Sequence, residues 1–326
     1  MKCINKITAG ILTLALVSGT LTGCGSKPEA WKNPYPVYEN AMQSAEAQTE
    51  SDPFFSASLC TGGYANVGMD TTDSQVAEGA GVFNTATHEI PYAQNIYEKL
   101  YPASTTKILT AYIALKYGNL DDVVTISANA LDIDPNSSTC GLQVGDQMTL
   151  RDLLYGMMMK SGNDAAIAIA EHISGDVATF ADKMNEEAAK LGATTSHFVN
   201  PNGLPDENHY TSVYDLYLLF QAALTNDDFR NIIQTTTYTS NYTSAAGEAK
   251  TQEWTSTNQY FTGDETAPDG FTILGGKTGT TGDAGYCLVL LSQNAAGQEI
   301  ISIVLKADCR INLYLLMNQI LTGYGN

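Results

Sequence analysis

The sequence predicts an α+β fold, in which one antiparallel sheet of about five strands packs with an inserted cluster of helices. Strand-like patterns occur at both ends of the folded part of the chain, and a block of helical patterns lies between them. The simplest arrangement of that order is a single sheet made from both chain ends, with the helical region inserted between them.

The predicted strands are short runs bounded by turns. The first two surround a turn, and Asn294 to Gly297 should form the hairpin turn between the last two. The five runs are 79–85, 89–95, 271–277, 284–292 and 299–306.

The helices are predicted from apolar spacing and from their end signals. The first begins at Ser104 and should end at Gly118, and Thr149 should cap the second with Asp152 at its third helical position. The third is almost wholly apolar, so we expect it to be buried. The predicted helices are 104–117, 149–159, 164–173, 180–191, 213–224 and a closing one at 311–322.

The charge of the chain excludes one class of partner. The 326 residues carry a formal net charge of −19, which should repel nucleic acid, so we expect no nucleic-acid partner.

The N-terminal segment has the pattern of an export signal. Lys2 and Lys6 precede the apolar run 7–17, which is too short to span a bilayer as a mature helix. The stretch L-T-G-C that follows resembles the lipobox of bacterial lipoproteins, which implies lipidation of Cys24 and a membrane-anchored extracytoplasmic location. A plain secretory signal is the alternative.

These features divide the chain into three parts. We expect a lipoprotein signal peptide at 1–23, a flexible tether at 24–59 and one catalytic domain at 60–326.

The cysteines and histidines give no metal pattern. Cys60, Cys140, Cys287 and Cys309 allow three disulfide connectivities or free thiols, and we favour buried or free thiols. The four histidines form no H-E-x-x-H cluster. We therefore expect no metal and no cofactor.

The stretch Y-P-A-S-T-T-K at 101–107 can be read in two ways. Ser104 and Lys107 share a helix face, and burial, the helix dipole and a second nearby cation would all favour a neutral lysine. Such a pair can act as nucleophile and base. Taken alone, however, a serine at this position is more often simply a helix cap.

Two further motifs bear on the choice. Ser161-Gly162-Asn163 connects two apolar helices, where buried polar groups need partners or a cleft, although Asn163 could simply cap the second helix. The stretch G-G-K-T-G-T at 275–280 offers the Lys277 cation and the Thr278 hydroxyl to a carboxylate, and its glycines leave room for a substrate backbone. A P-loop is excluded because the required glycine spacing is absent.

Together and in this order, the motifs resemble the active site of penicillin-recognising serine enzymes, and more narrowly D-alanyl-D-alanine carboxypeptidases. The resemblance runs from about residue 79 to the C-terminus and implies a fold like that of β-lactamases and penicillin-binding proteins. Its specific stretches are 101–111, 153–166, 197–204 and 275–288.

The resemblance implies a role for each matching residue of the catalytic group. Ser104 would attack the carbonyl of the penultimate D-alanine, Lys107 would take its proton, and Ser161 would relay a proton to the leaving D-alanine. Asn163 would bind the substrate amide and help to hold Lys107.

The carboxylate-binding group follows from the same resemblance. Lys277 and Thr278 would bind the terminal carboxylate, and the backbone N–H groups of Ser104 and Thr280 would form the oxyanion hole. The implied partners are peptidoglycan stem peptides ending in D-Ala-D-Ala, with β-lactams as inhibitors. Arg310 lies near the last strand in uncertain register, and the polar segment 236–270 matches the family poorly.

Three alternatives stay open at this stage. A serine β-lactamase shares the motifs, but the class A pattern E-x-x-L-N is absent between Ser161 and Lys277. A lipid-anchored sensor would keep the pocket without turnover, and an endopeptidase would use the same chemistry on peptide cross-links.

Overall fold

The computed structural model describes residues 55–326, so the predicted signal, Cys24 and nearly all of the tether lie outside the described residues. Nine strands occur in this part of the chain. They are β1 Ala77–Asn84, β2 Glu89–Gln94, β3 Val123–Thr125, β4 Gln147–Thr149, β5 Thr237–Thr243, β6 Ala249–Thr255, β7 Thr272–Thr281, β8 Gly285–Gln293 and β9 Glu299–Ala307.

Eight α-helices complete the described part. They are α1 Lys107–Tyr117, α2 Leu150–Met159, α3 Asn163–Ser174, α4 Val177–Lys190, α5 Val213–Ala223, α6 Asp227–Gln234, α7 Gln259–Thr262 and α8 Arg310–Tyr324. No helix among the described residues has the length and apolar character needed to cross a membrane.

The predicted five-stranded antiparallel sheet is confirmed. Its order is β2-β1-β9-β8-β7, so the N-terminal hairpin pairs with the last strand and closes the sheet from both chain ends. Strand β7, which carries the G-G-K-T-G-T stretch, lies at one edge. An edge strand leaves one row of backbone groups free to meet a ligand.

Both faces of this sheet are covered. On β8, Val289 and Leu291 pack into the core with the helical cluster, whereas Leu288 and Leu290 pack against α8. Successive side chains of a strand point to opposite faces, so a strand buried on both sides is apolar along its whole length. This explains the unbroken run C-L-V-L-L in β8.

The helical cluster follows the predictions closely. Gly118 ends α1, and Thr149 caps α2 by accepting a hydrogen bond from the Asp152 N–H. Helix α3 is buried along most of its length, as its apolar sequence predicts. Helix α6 was not predicted, although Asn226 caps it and Phe229, Ile232 and Ile233 form its buried face.

A second sheet was also missed. Its order is β3-β4-β5-β6, and β5 and β6 lie inside the polar segment 236–270. Most side chains of this hairpin are exposed, so its apolar alternation is weak. Trp254 is an exception, because it is buried and stacks near Tyr238, which itself stacks on Tyr155 of α2.

The four cysteines of the described part are free thiols, and three of them are buried. This agrees with the expectation of buried or free thiols.

Candidate active site

A cleft of about 310 Å³ lies beside edge strand β7 and brings the predicted motifs together. Ser104, Ser161, Thr278 and Thr280 all line its wall. Lys107, Asn163 and Lys277 lie directly behind that wall and are almost completely buried. All seven predicted site residues of the described chain therefore meet in one place.

Ser104 lies on a strained turn that leads into α1. The turn Ala103–Thr106 is a 3-10 helix, and Ala103 has a φ of 47°. Non-glycine residues adopt this left-handed conformation at a cost that the surrounding contacts must offset. One such contact comes from the Thr106 hydroxyl, which donates to the Ala103 carbonyl at 2.8 Å.

His209 supports this turn from below. Its Nδ1 accepts from the Val199 N–H at 3.1 Å, so its Nε2 carries the proton and faces the Thr106 hydroxyl at 2.8 Å. Burial lowers the pKa of His209 to about 4, which keeps the ring neutral near pH 7. His209 is thus a structural residue that supports the turn Ala103–Thr106, called the nucleophile turn below because Ser104 is the predicted nucleophile.

The Lys107 amine lies at hydrogen-bonding distance from three oxygens. Its Nζ is 3.0 Å from Ser104 Oγ, 2.7 Å from Asn163 Oδ1 and 2.6 Å from the Asn202 carbonyl. The Asn163 and Asn202 oxygens accept the two hydrogens of the neutral amine. The nitrogen lone pair can then accept the proton of the Ser104 hydroxyl.

Burial is the main cause of an altered Lys107 pKa. The side chain is completely buried, and desolvation together with the positive charge of Lys277 holds its pKa well below the usual range. A lowered pKa increases the fraction of the neutral amine, which is the form that can accept a proton.

Ser161 also lies on a strained turn. Its φ is 59°, and Gly162, rather than Asn163, is the N-cap residue of α3. Asn163 is the first helical residue, so its side chain is directed to Lys107 and does not cap the helix. The capping alternative for Asn163 is therefore wrong.

Cys140 packs against this turn and leaves no room for a side chain at position 162. A Cβ on Gly162 would lie 2.2 Å from the Cys140 sulfur. The carboxylate of Asp164 accepts hydrogen bonds from the backbone N–H groups of Cys140 and Leu142, which fixes the loop against α3. The Ser138 carbonyl on the same loop accepts from the Asn163 N–H.

Lys277 supplies a second buried cation. Its Nζ donates to Ser161 Oγ at 3.0 Å and to the Thr278 carbonyl at 2.7 Å. Burial lowers the pKa of Lys277 to about 7. The lysine therefore acts from behind Ser161, while the Thr278 hydroxyl is the group of this pair that faces the cleft.

The glycines of β7 serve packing more than substrate access. A Cβ on Gly275 would meet the Ile233 carbonyl at 2.4 Å, and one on Gly276 would meet the Val289 carbonyl at 2.2 Å. A side chain at either glycine would therefore collide with the backbone of a neighbouring element. Gly279 differs, because a Cβ there would lie 3.0 Å from the Ser104 nitrogen. This close approach brings β7 to the nucleophile turn.

Three further groups at the site were not assigned from sequence. The Asn202 carbonyl binds Lys107, Gly203 packs on the nucleophile turn, and Arg310 lines the cleft as the first residue of α8. Asn202 and Gly203 belong to the family-like stretch 197–204, which was the only signal for them. Arg310 could not be assigned to the site because the sequence alone does not fix its register relative to the last strand.

The described residues contain no group of three or more histidine, cysteine, aspartate or glutamate side chains placed to hold a metal ion.

Comparisons with known proteins identify the family of the chain. Residues 68–309 match the family described as D-alanyl-D-alanine carboxypeptidase. The D-alanyl-D-alanine carboxypeptidase of Streptomyces sp. strain K15 is 32% identical over 248 residues, which cover 73% of this chain and 83% of that protein. D-alanyl-D-alanine carboxypeptidase DacF of Bacillus subtilis is 32% identical over 242 residues, which cover 71% of this chain but only 58% of DacF.

A solved structure extends the agreement to the fold. The crystal structure of the Streptomyces K15 DD-transpeptidase has a TM-score of 0.70 and 31% identity, covering 76% of this chain and 96% of that one. The family match covers well over half of the chain, and the Streptomyces K15 DD-transpeptidase shares both sequence and fold with it. The chain belongs to the D-alanyl-D-alanine carboxypeptidase family of serine peptidases.

Proposed function

We propose that this protein removes the terminal D-alanine from peptidoglycan stem peptides through an acyl-enzyme on Ser104. The observation that carries this proposal is the 3.0 Å contact between Ser104 Oγ and a fully buried Lys107 amine, at the wall of an open cleft. Family membership supports the substrate class.

Acylation begins with the transfer of the Ser104 proton to the neutral amine of Lys107. The serine oxygen attacks the carbonyl carbon of the penultimate D-alanine, and the negative charge forms on the carbonyl oxygen. The N–H groups of Ser104 and Thr280 would stabilise that charge, and the close approach of Gly279 to the Ser104 nitrogen supports this placement.

The tetrahedral intermediate collapses when the leaving nitrogen gains a proton. Ser161 Oγ is the relay, and its contact with Lys277 Nζ allows its proton to be replaced. Breaking the C–N bond releases D-alanine and leaves an ester on Ser104. A water molecule then attacks the ester, and its proton passes to Ser161 and Lys277, which restores the proton that this pair gave to the leaving D-alanine. As the ester bond breaks, Lys107 returns its proton to the Ser104 oxygen.

The carboxylate of the substrate would be bound through the Thr278 hydroxyl on β7. Thr278 and Arg310 both line the cleft, and Lys277 lies buried in contact with Ser161. Asn163, which holds Lys107, would also bind the substrate amide. β-Lactams carry an amide and a carboxylate in a similar arrangement, so they should acylate Ser104.

Release of D-alanine is the experiment that tests this function. The purified domain is incubated with a pentapeptide ending in D-Ala-D-Ala, and free D-alanine is measured. We expect release by the wild type and none by Ser104→Ala.

The same assay separates the alternative functions. A wild type that binds penicillin but releases no D-alanine would be a sensor rather than a peptidase. A wild type that hydrolyses penicillin rapidly and continuously would be a β-lactamase. Slow turnover after a burst of acylation supports the carboxypeptidase.

We also propose that the protein is a lipoprotein anchored through Cys24 on the outer side of the membrane. The L-T-G-C stretch after the apolar run 7–17 supports this location, and the substrate class is extracytoplasmic in the family. In a bacterial host, a Cys24→Ala variant should move from the membrane fraction to the soluble fraction. An unchanged membrane fraction would contradict the lipid anchor.

A further inference from the structure

The polar segment 236–270, which matches the family poorly, reaches the cleft at Thr257. Thr257 follows β6 and lines the same cleft as Ser104 and Thr278. Its Oγ1 is 2.6 Å from Thr278 Oγ1. No other side chain in the described part of the chain hydrogen-bonds to the Thr278 hydroxyl.

The backbone fixes the position of Thr257. Its N–H donates to the Met159 carbonyl at 3.2 Å, two residues before Ser161. The neighbouring Ser256 N–H donates to Thr236 at 2.9 Å, and Asn258 is buried and caps α7. Thr257 is therefore tied to the Ser161 turn by its backbone and to β7 by its side chain.

The number of hydrogens available decides which of the two hydroxyls donates in the contact between Thr257 and Thr278. A hydroxyl has one hydrogen to donate, and a carboxylate can only accept. When a substrate carboxylate meets Thr278, the Thr278 hydrogen must point to the substrate. Thr257 can then donate to the Thr278 oxygen, and chains of this kind strengthen each bond in them.

We propose that Thr257 is a positioning residue for carboxylate recognition, which orients the Thr278 hydroxyl toward the substrate. This rests on the proposed function, because it assumes that the cleft binds the terminal carboxylate of a peptide or of penicillin. The polar segment 236–270 then contributes a residue to the active site in addition to forming the surface hairpin β5–β6.

The test compares three variants on two peptides. Thr257→Val removes the hydroxyl at nearly constant shape, and Thr257→Ser keeps it. Thr255→Val is a matched control at an exposed position at the end of β6, two residues before Thr257. The substrates are a peptide ending in D-Ala-D-Ala and the same peptide with a C-terminal carboxamide, and kcat/KM is measured for each.

For Thr257→Val we expect a loss of about 5- to 10-fold with the carboxylate peptide, the size of one hydrogen bond, and a change of less than about 2-fold with the carboxamide. The loss should appear mainly in KM. Thr257→Ser and Thr255→Val should stay close to the wild type on both peptides.

Equal losses of Thr257→Val on both peptides would show a merely structural role and overturn the proposal, as would no loss on either. If the wild type releases no D-alanine at all, the proposed function fails separately. The proposal is then judged by the rate of acylation with benzylpenicillin, which carries a carboxylate and should acylate Thr257→Val more slowly.

Discussion

Replacing Lys107 with arginine should lower the rate of Ser104 acylation by benzylpenicillin by at least about 100-fold, the contribution expected of a general base. The substitution places a permanent positive charge at this position, because a guanidinium does not lose its proton in a protein and cannot accept one from Ser104. The rate is measured by labelling with a fluorescent penicillin over time.

The pH dependence of the wild-type acylation rate also tests whether Lys107 is the base. Burial and Lys277 hold the pKa of Lys107 well below its ordinary value, so the reactive form is the neutral one. The acylation rate should therefore fall as the pH drops through that lowered pKa. The residual acylation rate of Lys107→Arg should not show this fall at low pH.

A second variant guards against misfolding. Arginine is larger than lysine, and the site is completely buried, so overpacking could unfold the protein. Lys107→Met has a similar shape and no base, and its thermal unfolding is compared with that of the wild type. Acylation of a folded Lys107→Met at the wild-type rate would show that Lys107 is not the base.

Replacing Gly203 with alanine should damage both stability and activity. Gly203 has a φ of 84°, and a Cβ there would lie 1.8 Å from the Ala103 carbonyl oxygen. The left-handed backbone alone should cost about 1 kcal/mol, and relief of the overlap adds about 1–3 kcal/mol. The overlap can be relieved by moving the turn that carries Ser104 or the neighbouring Asn202, whose carbonyl accepts from Lys107.

Displacement of a reacting group by about 1 Å can reduce a rate by roughly 100-fold, so we expect a loss of that order in acylation by Gly203→Ala. The free energy of unfolding is measured with urea, and acylation with labelled penicillin.

Gly247→Ala is the matched control. Gly247 has a φ of 80° in the β5–β6 turn, but no atom lies within 4 Å of its Cβ position. It should lose about 1 kcal/mol of stability from the backbone alone and keep its acylation rate. Equal losses of acylation in the two variants would contradict a specific contact between Gly203 and the nucleophile turn.

Much of the fold could be predicted because its signals are local. The apolar run of β8, the Gly118 stop of α1 and the Thr149 cap of α2 each act within a few residues. The five-stranded sheet then followed from the order of these elements. The hairpin β5–β6 was not predicted because its exposed polar side chains give no clear alternation of apolar and polar residues. Its stability depends on a few contacts between residues distant in sequence, such as those of Trp254.

The site shows the same division. Ser104, Lys107, Ser161 and Lys277 were found because side chains of these types occur in recognisable spacings. The Asn202 carbonyl could not be found in this way, since every residue has a carbonyl and only the fold decides which one meets Lys107. The complete burial of Lys277 behind Ser161 depends equally on the packing of β7 against distant elements.

Peptide mapping of the acyl-enzyme by mass spectrometry tests Ser104 as the nucleophile most directly. The protein is incubated with benzylpenicillin, digested, and searched for the mass of the penicilloyl group. We expect the adduct on the peptide that contains Ser104, and no adduct in a folded Ser104→Ala variant. An adduct on another residue such as Ser161, or labelling of Ser104→Ala at the wild-type level, would contradict the assignment.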